Sequence, residues 1–181
     1  PHTGAYAGTP GSFANEAAEK LYPTHALTGL EHFEDVFEAV LSNRIEIGVV
    51  PVENTLAGKV DKVQNLLENE NIEIINNIKL PIKQMLVAPA GTELSSIRKI
   101  YSHEKALEQC KNFLSTMPEC RLIPYSTTSA AAAAVAAIND KCSAAIASET
   151  AARLNRLEII KDSIQDEEEN YTEFVVFRSK K

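Results

Sequence analysis

The sequence predicts an α/β protein built from two lobes. Short β-type runs alternate with helical patterns almost throughout the 181 residues, which is typical of a doubly wound arrangement. The acidic loop 166–170 carries charges that cannot all be buried, so we expect it to cross between the lobes in contact with solvent. A chain that leaves one lobe near Leu80 and returns near Asn170 has a two-strand hinge beside a ligand cleft. Lobe one would comprise residues 1–80 and 170–181, and lobe two residues 81–169.

Short runs rich in β-branched and aromatic residues, bounded by turn-forming residues, indicate the strands. We expect strands at residues 3–7, 26–28, 45–50, 72–80, 84–88, 97–101, 121–124, 144–147 and 172–177. These strands are spread over both lobes. Each lobe therefore has the material for a sheet of its own.

The clearest helix covers residues 31–41. Phe33, Val36, Phe37 and Val40 recur there at three- and four-residue spacing and would face a core together. We expect the other helices at residues 12–21, 59–68, 103–115, 128–138 and 148–154. The predicted helix at residues 128–138 is rich in alanine, which forms helices readily and permits close packing against a sheet.

The composition limits the classes of partner. A net charge of −7 argues against nucleic acid, whose phosphates need a basic face. The three cysteines stand at irregular spacing without the paired Cys or His residues of zinc and redox sites, so we interpret them as reduced core residues. No apolar run approaches the roughly 20 residues of a membrane span, and the first residues do not resemble a secretory signal. We therefore expect a cytoplasmic location, unless processing has already removed a leader.

Four segments place hydroxyl or amide side chains just before a predicted helix. There, free backbone N–H groups and the helix dipole favour anions. The residues are Ser12, Asn54 with Thr55, the run Thr127-Thr128-Ser129, and Ser148. Each of them could equally be an ordinary N-cap, because Ser, Thr and Asn are preferred at that position. Several such ends at the carboxyl edges of strands would form a polar pocket for a dicarboxylate.

Six segments, taken in order along the chain, resemble motifs of the prephenate dehydratase family. GTPGSFANEAA is similar to the glycine-rich strand-to-helix turn of that family, VVPVENTLAG to its Glu-Asn-Thr/Ser segment and IYSHEKALEQC to its Ser-His segment. YSTTSAAAAAV is similar to its Ser/Thr-Ala helix start, and AAIASETAA and NYTEF complete the set. The resemblance covers nearly the whole chain.

The resemblance implies a catalytic domain that converts prephenate to phenylpyruvate in phenylalanine biosynthesis, without a metal or cofactor. It implies that Thr172 is the essential hydroxyl beside the departing group. The substrate-binding residues would be Ser12, Asn54, Thr55, Ser102, Thr128, Ser129, Ser148 and Phe174. It also implies two similar lobes like those of a type II periplasmic binding protein, with lobe one built from both chain ends. The same resemblance implies a homo-oligomer, either a dimer or a tetramer, of which we expect the dimer.

The implied chemistry asks little of the protein. Prephenate loses carbon dioxide and a ring hydroxide together, and the ring becomes aromatic, so most of the driving force resides in the substrate. The enzyme must hold both carboxylates and help the hydroxide to leave. The Thr172 hydroxyl could hydrogen-bond to that oxygen, and Glu53 could relay a proton or could be a solvated carboxylate.

One position departs from the family pattern, since the family's Thr-Arg-Phe reads Thr172-Glu173-Phe174 here. The family arginine is implied to hold a substrate carboxylate, which a glutamate would repel. Strand alternation could place Glu173 on the face opposite Thr172. Alternatively, Lys59 or Lys105 replaces the cation, or the activity is lost. His103 of the Ser-His segment is interpreted as a helix cap rather than a proton carrier.

Other functions remain open at this point. A prephenate decarboxylase on the same scaffold would keep the ring non-aromatic, and a non-catalytic module would sense a small carboxylate by hinge closure. A membrane-bound solute receptor is disfavoured by the absence of a signal segment. Family members usually continue into a phenylalanine-sensing ACT domain, which was either removed from this chain or is naturally absent.

Overall fold

The structure is a computed structural model that describes residues 1–181. The chain forms two compact units, one of Pro1–Ile82 with Glu169–Lys181 and the other of Lys83–Glu168. Each unit contains one β-sheet covered by helices, so the α/β fold with two lobes expected from the sequence is confirmed. No helix is both long enough and apolar enough to cross a membrane.

Eleven strands and seven α-helices make up the two units. The strands are β1 (Thr3–Ala7), β2 (Ala26–Leu30), β3 (Ile47–Asn54), β4 (Gly58–Lys59), β5 (Ile72–Pro81), β6 (Met85–Ala88), β7 (Lys99–His103), β8 (Arg121–Tyr125), β9 (Ser143–Ala147), β10 (Glu158–Lys161) and β11 (Tyr171–Ser179). The helices are α1 (Phe13–Leu21), α2 (Phe33–Leu41), α3 (Asp61–Leu66), α4 (Glu104–Gln109), α5 (Lys111–Leu114), α6 (Thr128–Ile138) and α7 (Glu149–Leu154).

The sheet of the first unit has the order β2-β1-β3-β11-β5, with β4 paired to β3. Strands β2, β1 and β3 are parallel, whereas β11 runs antiparallel between β3 and β5. Phe174 and Val176 of β11 pack with α1 on one face, and Val175 and Phe177 pack with α2 on the other. Gly48 of β3 leaves space for the Phe177 ring, because a Cβ at this position would lie 2.5 Å from it. The last strand in the chain is therefore a central strand of this sheet.

The sheet of the second unit has the order β10-β6-β9-β7-β8, in which β9, β7 and β8 are parallel. The alanine-rich helix α6 has the predicted bounds and lies on this sheet. Its Ala131, Ala132 and Val135 are buried together with Ala145 and Ala147 of β9. Small side chains on both partners allow this close approach, as the sequence predicts.

The predicted helix 103–115 is wrong as one continuous helix, because it is broken at Cys110 into α4 and α5. Asp166 accounts for the break. Its backbone N–H donates to the Gln109 carbonyl (2.7 Å), and its carboxylate accepts from the Asn112 N–H (2.9 Å). Both backbone groups are thus satisfied without an unbroken helix. Burial raises the pKa of the Cys110 thiol to about 12, so it remains a protonated core side chain.

Candidate functional site

The predicted catalytic residue lies where β3 and β11 meet. Asn54 and Thr172 are paired in register across the two strands. The Asn54 Nδ2 group donates to Thr172 Oγ1 (2.8 Å) and lies near the Tyr171 carbonyl (3.2 Å). The Asn54 Oδ1 atom accepts from the backbone N–H groups of Leu56 and Ala57, each at 2.9 Å. These two bonds set the orientation of the amide, because only its oxygen can accept both.

This arrangement determines which hydrogen bonds the Thr172 hydroxyl can still make. Its oxygen already accepts a hydrogen bond from Asn54, and its own proton remains available to donate. An amide donor on the oxygen polarises the O–H group and strengthens the bond that the hydroxyl can give. The site can therefore offer a directed O–H donor to an oxygen that gains negative charge.

Asn170 belongs to the same network, although the sequence analysis did not identify it. The residue is 4% exposed, and its Oδ1 atom accepts from Asn54 Nδ2 at 2.9 Å. Its carbonyl accepts from the Ile82 N–H (2.8 Å), which ties the start of β11 to the end of β5. Asn170 is the first residue of the NYTEF motif, so its place in that motif was the available signal. We assign it the role of holding the Asn54 amide in place.

Thr55 lies beside this network, but its hydroxyl is engaged in pairing the strands. The Thr55 N–H donates to the Tyr171 carbonyl (3.0 Å), and its Oγ1 atom accepts from the Tyr171 N–H (3.0 Å). The hydroxyl also lies 3.3 Å from the Glu169 carbonyl, to which it can donate. The side chain thus extends the ladder between β3 and β11, and its predicted substrate contact would have to replace one of these bonds.

Ser12 caps the first helix at the same edge of the sheet. Its Oγ atom accepts from the Asn15 N–H (3.2 Å), as expected of an N-cap. The Asn15 side chain is buried and accepts from the Gly11 N–H (2.9 Å), which holds the turn between β1 and α1. Because β1 and β3 are parallel neighbours, this turn and Asn54 both lie at the carboxyl ends of their strands. Asn15 is a second residue that the sequence analysis missed.

Phe174 occupies a different environment from the other predicted contacts. It is 3% exposed and packs in the core with Tyr6, Val49 and Leu80. In this position the ring supports the strand that carries Thr172. Its burial favours packing over direct contact with a substrate.

Glu173 lies on the face of the sheet opposite Thr172. It is the cross-strand neighbour of Glu53 on β3 and of Lys79 on β5, and it accepts a hydrogen bond from Asn77 Nδ2 (3.1 Å). A small cavity of about 130 Å³ is lined by Glu173, Glu53, Lys79, Tyr171 and the predicted site residue Thr55, but not by Thr172. Successive residues of a strand point to opposite faces. The first of the three sequence-based explanations therefore fits the geometry, and the same alternation separates Glu53 from the hydroxyl that it was suggested to serve.

In the second unit, the predicted residues gather at the carboxyl ends of the neighbouring strands β9, β7 and β8. Ser102 is fully buried, and its hydroxyl donates to the Ile146 carbonyl (2.7 Å). Ser148 caps α7 by accepting from the Ala151 N–H (3.0 Å). These two hydroxyls hold the strand ends and the helix start in place.

Thr128 and Ser129 begin helix α6 at this edge of the second sheet. The cap itself is Thr127, whose Oγ1 atom accepts from the Ala130 N–H (2.9 Å). Ser129 is buried with its Oγ 3.2 Å from that of Thr127, and Thr128 is half-buried. His103 is confirmed as a helix cap, since its Nδ1 atom accepts from the Lys105 N–H (3.0 Å).

Comparison with known proteins identifies relatives over almost the whole chain. The family model described as "PDT: Prephenate dehydratase" matches residues 5–181. The chain is 36% identical over 172 residues to "Arogenate dehydratase/prephenate dehydratase 2, chloroplastic" of Arabidopsis thaliana, covering 95% of this chain and 45% of that protein. The chain therefore spans about half the length of the curated relatives that it matches.

Solved structures share the fold. A prephenate dehydratase in complex with L-Phe from Arthrobacter aurescens superimposes with a TM-score of 0.83 at 25% identity, covering 98% of this chain and 60% of that one. A protein described as GqqA, a novel type of quorum quenching acylase, gives a TM-score of 0.87 at 26% identity, covering 98% of this chain and 64% of that one. Both similarities extend over both units of the chain.

Proposed function

This chain belongs to the prephenate dehydratase family, and we propose that it converts prephenate to phenylpyruvate. The observation that carries the proposal is the hydrogen bond from Asn54 to Thr172, which leaves the Thr172 proton free to donate. A hydroxyl donor beside the departing hydroxide is one of two things that this reaction needs from the protein. The other requirement is that both carboxylates are held.

The reaction balances without a redox partner. The bond between the ring and its carboxylate breaks and releases carbon dioxide, and its electron pair enters the ring. The ring C–O bond breaks in the same process, and the hydroxide that leaves becomes water when it takes a proton. Thr172 donates a hydrogen bond to that oxygen as charge develops, so the bond is stronger in the transition state than in the bound substrate.

Helix starts are the proposed holders of the carboxylates. The turn before α1, held by Ser12 and Asn15, leaves backbone N–H groups at the carboxyl edge of the first sheet. The Thr127-Thr128-Ser129 start of α6 offers the same kind of group in the second unit. Ser102 and Ser148 would act there by keeping the strand ends and helix starts in position. Binding by N–H groups fits a chain whose net charge is −7.

The proposal is tested by incubating the protein with prephenate at neutral pH and measuring phenylpyruvate by its ultraviolet absorbance in base. We expect product well above the spontaneous rate. Product at the spontaneous rate only, with prephenate binding retained in calorimetry, would support the non-catalytic binding module. A product mass that retains the ring hydroxyl would instead identify the decarboxylase. Arogenate is assayed in parallel, because several relatives are named arogenate dehydratases.

Replacing Glu173 by arginine tests the position that departs from the family. We expect kcat/KM for prephenate to change by less than about fivefold, since the side chain lies across the sheet from Thr172 and its charge is screened by solvent. Glu70→Arg, an exposed charge reversal in the loop before β5, serves as the control. A gain much larger than that of the control would mean that the glutamate acts on the bound substrate.

We propose a cytoplasmic location, and the three free cysteines fit a reducing compartment. Plant relatives are named as chloroplastic, so the chloroplast is the alternative location. We propose a dimer, which light scattering on the purified protein would test.

A further inference from the structure

Three neighbouring strands of the first unit begin side by side, and the residue before each one carries a side chain that can bind a metal ion. His25 precedes β2, His2 precedes β1 and Glu46 precedes β3. Strand β1 lies between the other two and pairs with both in parallel. The sheet thus aligns two imidazoles and one carboxylate at its amino edge, because paired strands lie about 4.8 Å apart.

The distances between the three side chains are close to those of a metal site. His2 Nδ1 lies 3.0 and 3.2 Å from the two carboxylate oxygens of Glu46. One potential ligand atom from each of the three residues lies within 4.8 Å of the others. An ion with bonds of about 2.0–2.2 Å in tetrahedral geometry separates its ligands by roughly 3.4 Å. The pair of His2 and Glu46 already has this spacing, and the gap between this pair and His25 must close by little more than an ångström.

The side chains are free to make that adjustment. The side chains of His2 and Glu46 are 71% and 50% exposed. The rings of His2 and His25 stack with centroids 5.1 Å apart, so convergence on one ion requires the exposed His2 ring to rotate. The backbone is fixed nearby, because the Ala26 N–H donates to the His2 carbonyl and the Glu46 N–H donates to Thr3 Oγ1. Exposed side chains on a hydrogen-bonded backbone can rotate around an incoming ion without displacing the strands.

His25 supplies an independent observation. Its Nδ1 atom is shielded from solvent and has no hydrogen-bonding partner. The ring packs edge-on against Tyr22, at 4.8 Å between centroids. A shielded ring nitrogen without a partner is unfavourable, and no bond fixes the tautomer of this ring. No hydrogen bond at Nδ1 therefore opposes the tautomer in which Nδ1 carries the proton and Nε2 keeps a lone pair for a metal ion.

We propose that His2, His25 and Glu46 form a binding site for a divalent transition-metal ion of the Zn²⁺ type, with water completing the coordination. Two imidazoles and one carboxylate are a ligand set that zinc accepts while it keeps an open position. The bound ion links the starts of β1, β2 and β3 and stabilises the first unit. Strand β3 has eight residues from Ile47 to Asn54, so the ion lies on the order of 25 Å from the Asn54–Thr172 pair. The site is therefore distinct from the proposed catalytic chemistry, which uses no metal.

The proposal is tested by calorimetric titration of zinc chloride into the 181-residue protein, prepared without a histidine tag. We expect one ion per chain and a higher midpoint of thermal unfolding when zinc is present. His25→Ala and Glu46→Gln should each weaken binding at least about tenfold, because each removes one of three ligands. His32→Ala is the matched control, since His32 is an exposed histidine of the same unit outside the cluster and should bind zinc like the parent.

Two results would overturn the proposal. Equal zinc affinity in His25→Ala and His32→Ala would show that the ion binds elsewhere. If the parent protein gives no heat of binding, the three residues do not bind zinc, and His2 and Glu46 form only an ion pair. Glu46 is exposed and glutamine has nearly the same shape, so the Glu46→Gln variant should fold. This variant decides the test if circular dichroism shows that His25→Ala does not fold. Prephenate turnover is a separate readout and does not depend on this site.

Discussion

Replacing Thr172 by valine should lower kcat for prephenate by about a hundredfold or more. Valine has nearly the same shape and keeps the backbone pairing with β3, so the variant removes the O–H donor and little else. The Asn54 amide keeps its contacts with Asn170 Oδ1 and the Tyr171 carbonyl, which should preserve the local structure. The loss is therefore expected in kcat, with a smaller change in KM, as for a bond made mainly in the transition state.

Thr172→Ser is the matched control, because it keeps the hydroxyl and removes only a methyl group. We expect it to retain activity within about tenfold of the parent, since the serine hydroxyl can still accept from Asn54 but is less restricted in rotation. Steady-state kinetics with both variants separates the hydroxyl from the side-chain shape. If the valine variant loses less than about fivefold in kcat, Thr172 has a structural role only.

Replacing Asn54 by aspartate should lower kcat about a hundredfold by reversing one hydrogen bond. One carboxylate oxygen can still accept from the Leu56 and Ala57 N–H groups, so the turn after β3 is retained. The other oxygen cannot donate to Thr172 and instead accepts the Thr172 proton, which the departing hydroxide needs. The added charge also opposes bound carboxylates, so KM should rise as well.

The control for this variant is Asn77→Asp, which makes the same change on the same sheet. Asn77 donates to Glu173 on the face that Thr172 does not occupy. We expect its kinetics to remain close to those of the parent, and circular dichroism should show both variants folded. Equal losses in the two variants would mean that added charge, rather than the direction of the bond to Thr172, causes the effect.

The elements that the sequence predicted best are those with local signals at both ends. Helix α6 has the predicted bounds because Thr127 caps its start and Asn139 ends it in the left-handed conformation, at φ 49°. Helix α2 begins two residues later than predicted. His32 makes no side-chain cap bond there, so the periodic pattern alone does not mark the boundary.

Elements that depend on distant partners were predicted less well. Strand β3 runs on to Asn54, four residues beyond the predicted end, because β11 pairs with it from more than a hundred positions away. Strand β10, four residues at the edge of the second sheet, was missed. The break at Cys110 depends on Asp166, which no local pattern could reveal.

The same distinction applies to the candidate site. The motifs led to Asn54 and Thr172, which the structure brings into direct contact. They did not reveal that the Thr55 and Ser102 hydroxyls are engaged by backbone groups, because those partners lie far away in the chain. Asn170 and Asn15 were missed for a related reason. A buried amide that positions another residue differs from a surface amide only in its burial, and burial requires the fold.

The central position of β11 has a consequence for how the protein is made. During synthesis, β3 and β5 emerge long before the strand that lies between them, and the second unit is translated in the interval. That unit is one continuous segment and can fold as soon as it leaves the ribosome, whereas the first sheet stays incomplete until residues 171–179 arrive. Thr172 is carried on this late strand. Completing the first sheet therefore also brings the proposed hydroxyl donor into place, so a nascent chain lacks the Asn54–Thr172 pair until the core of its first unit has formed.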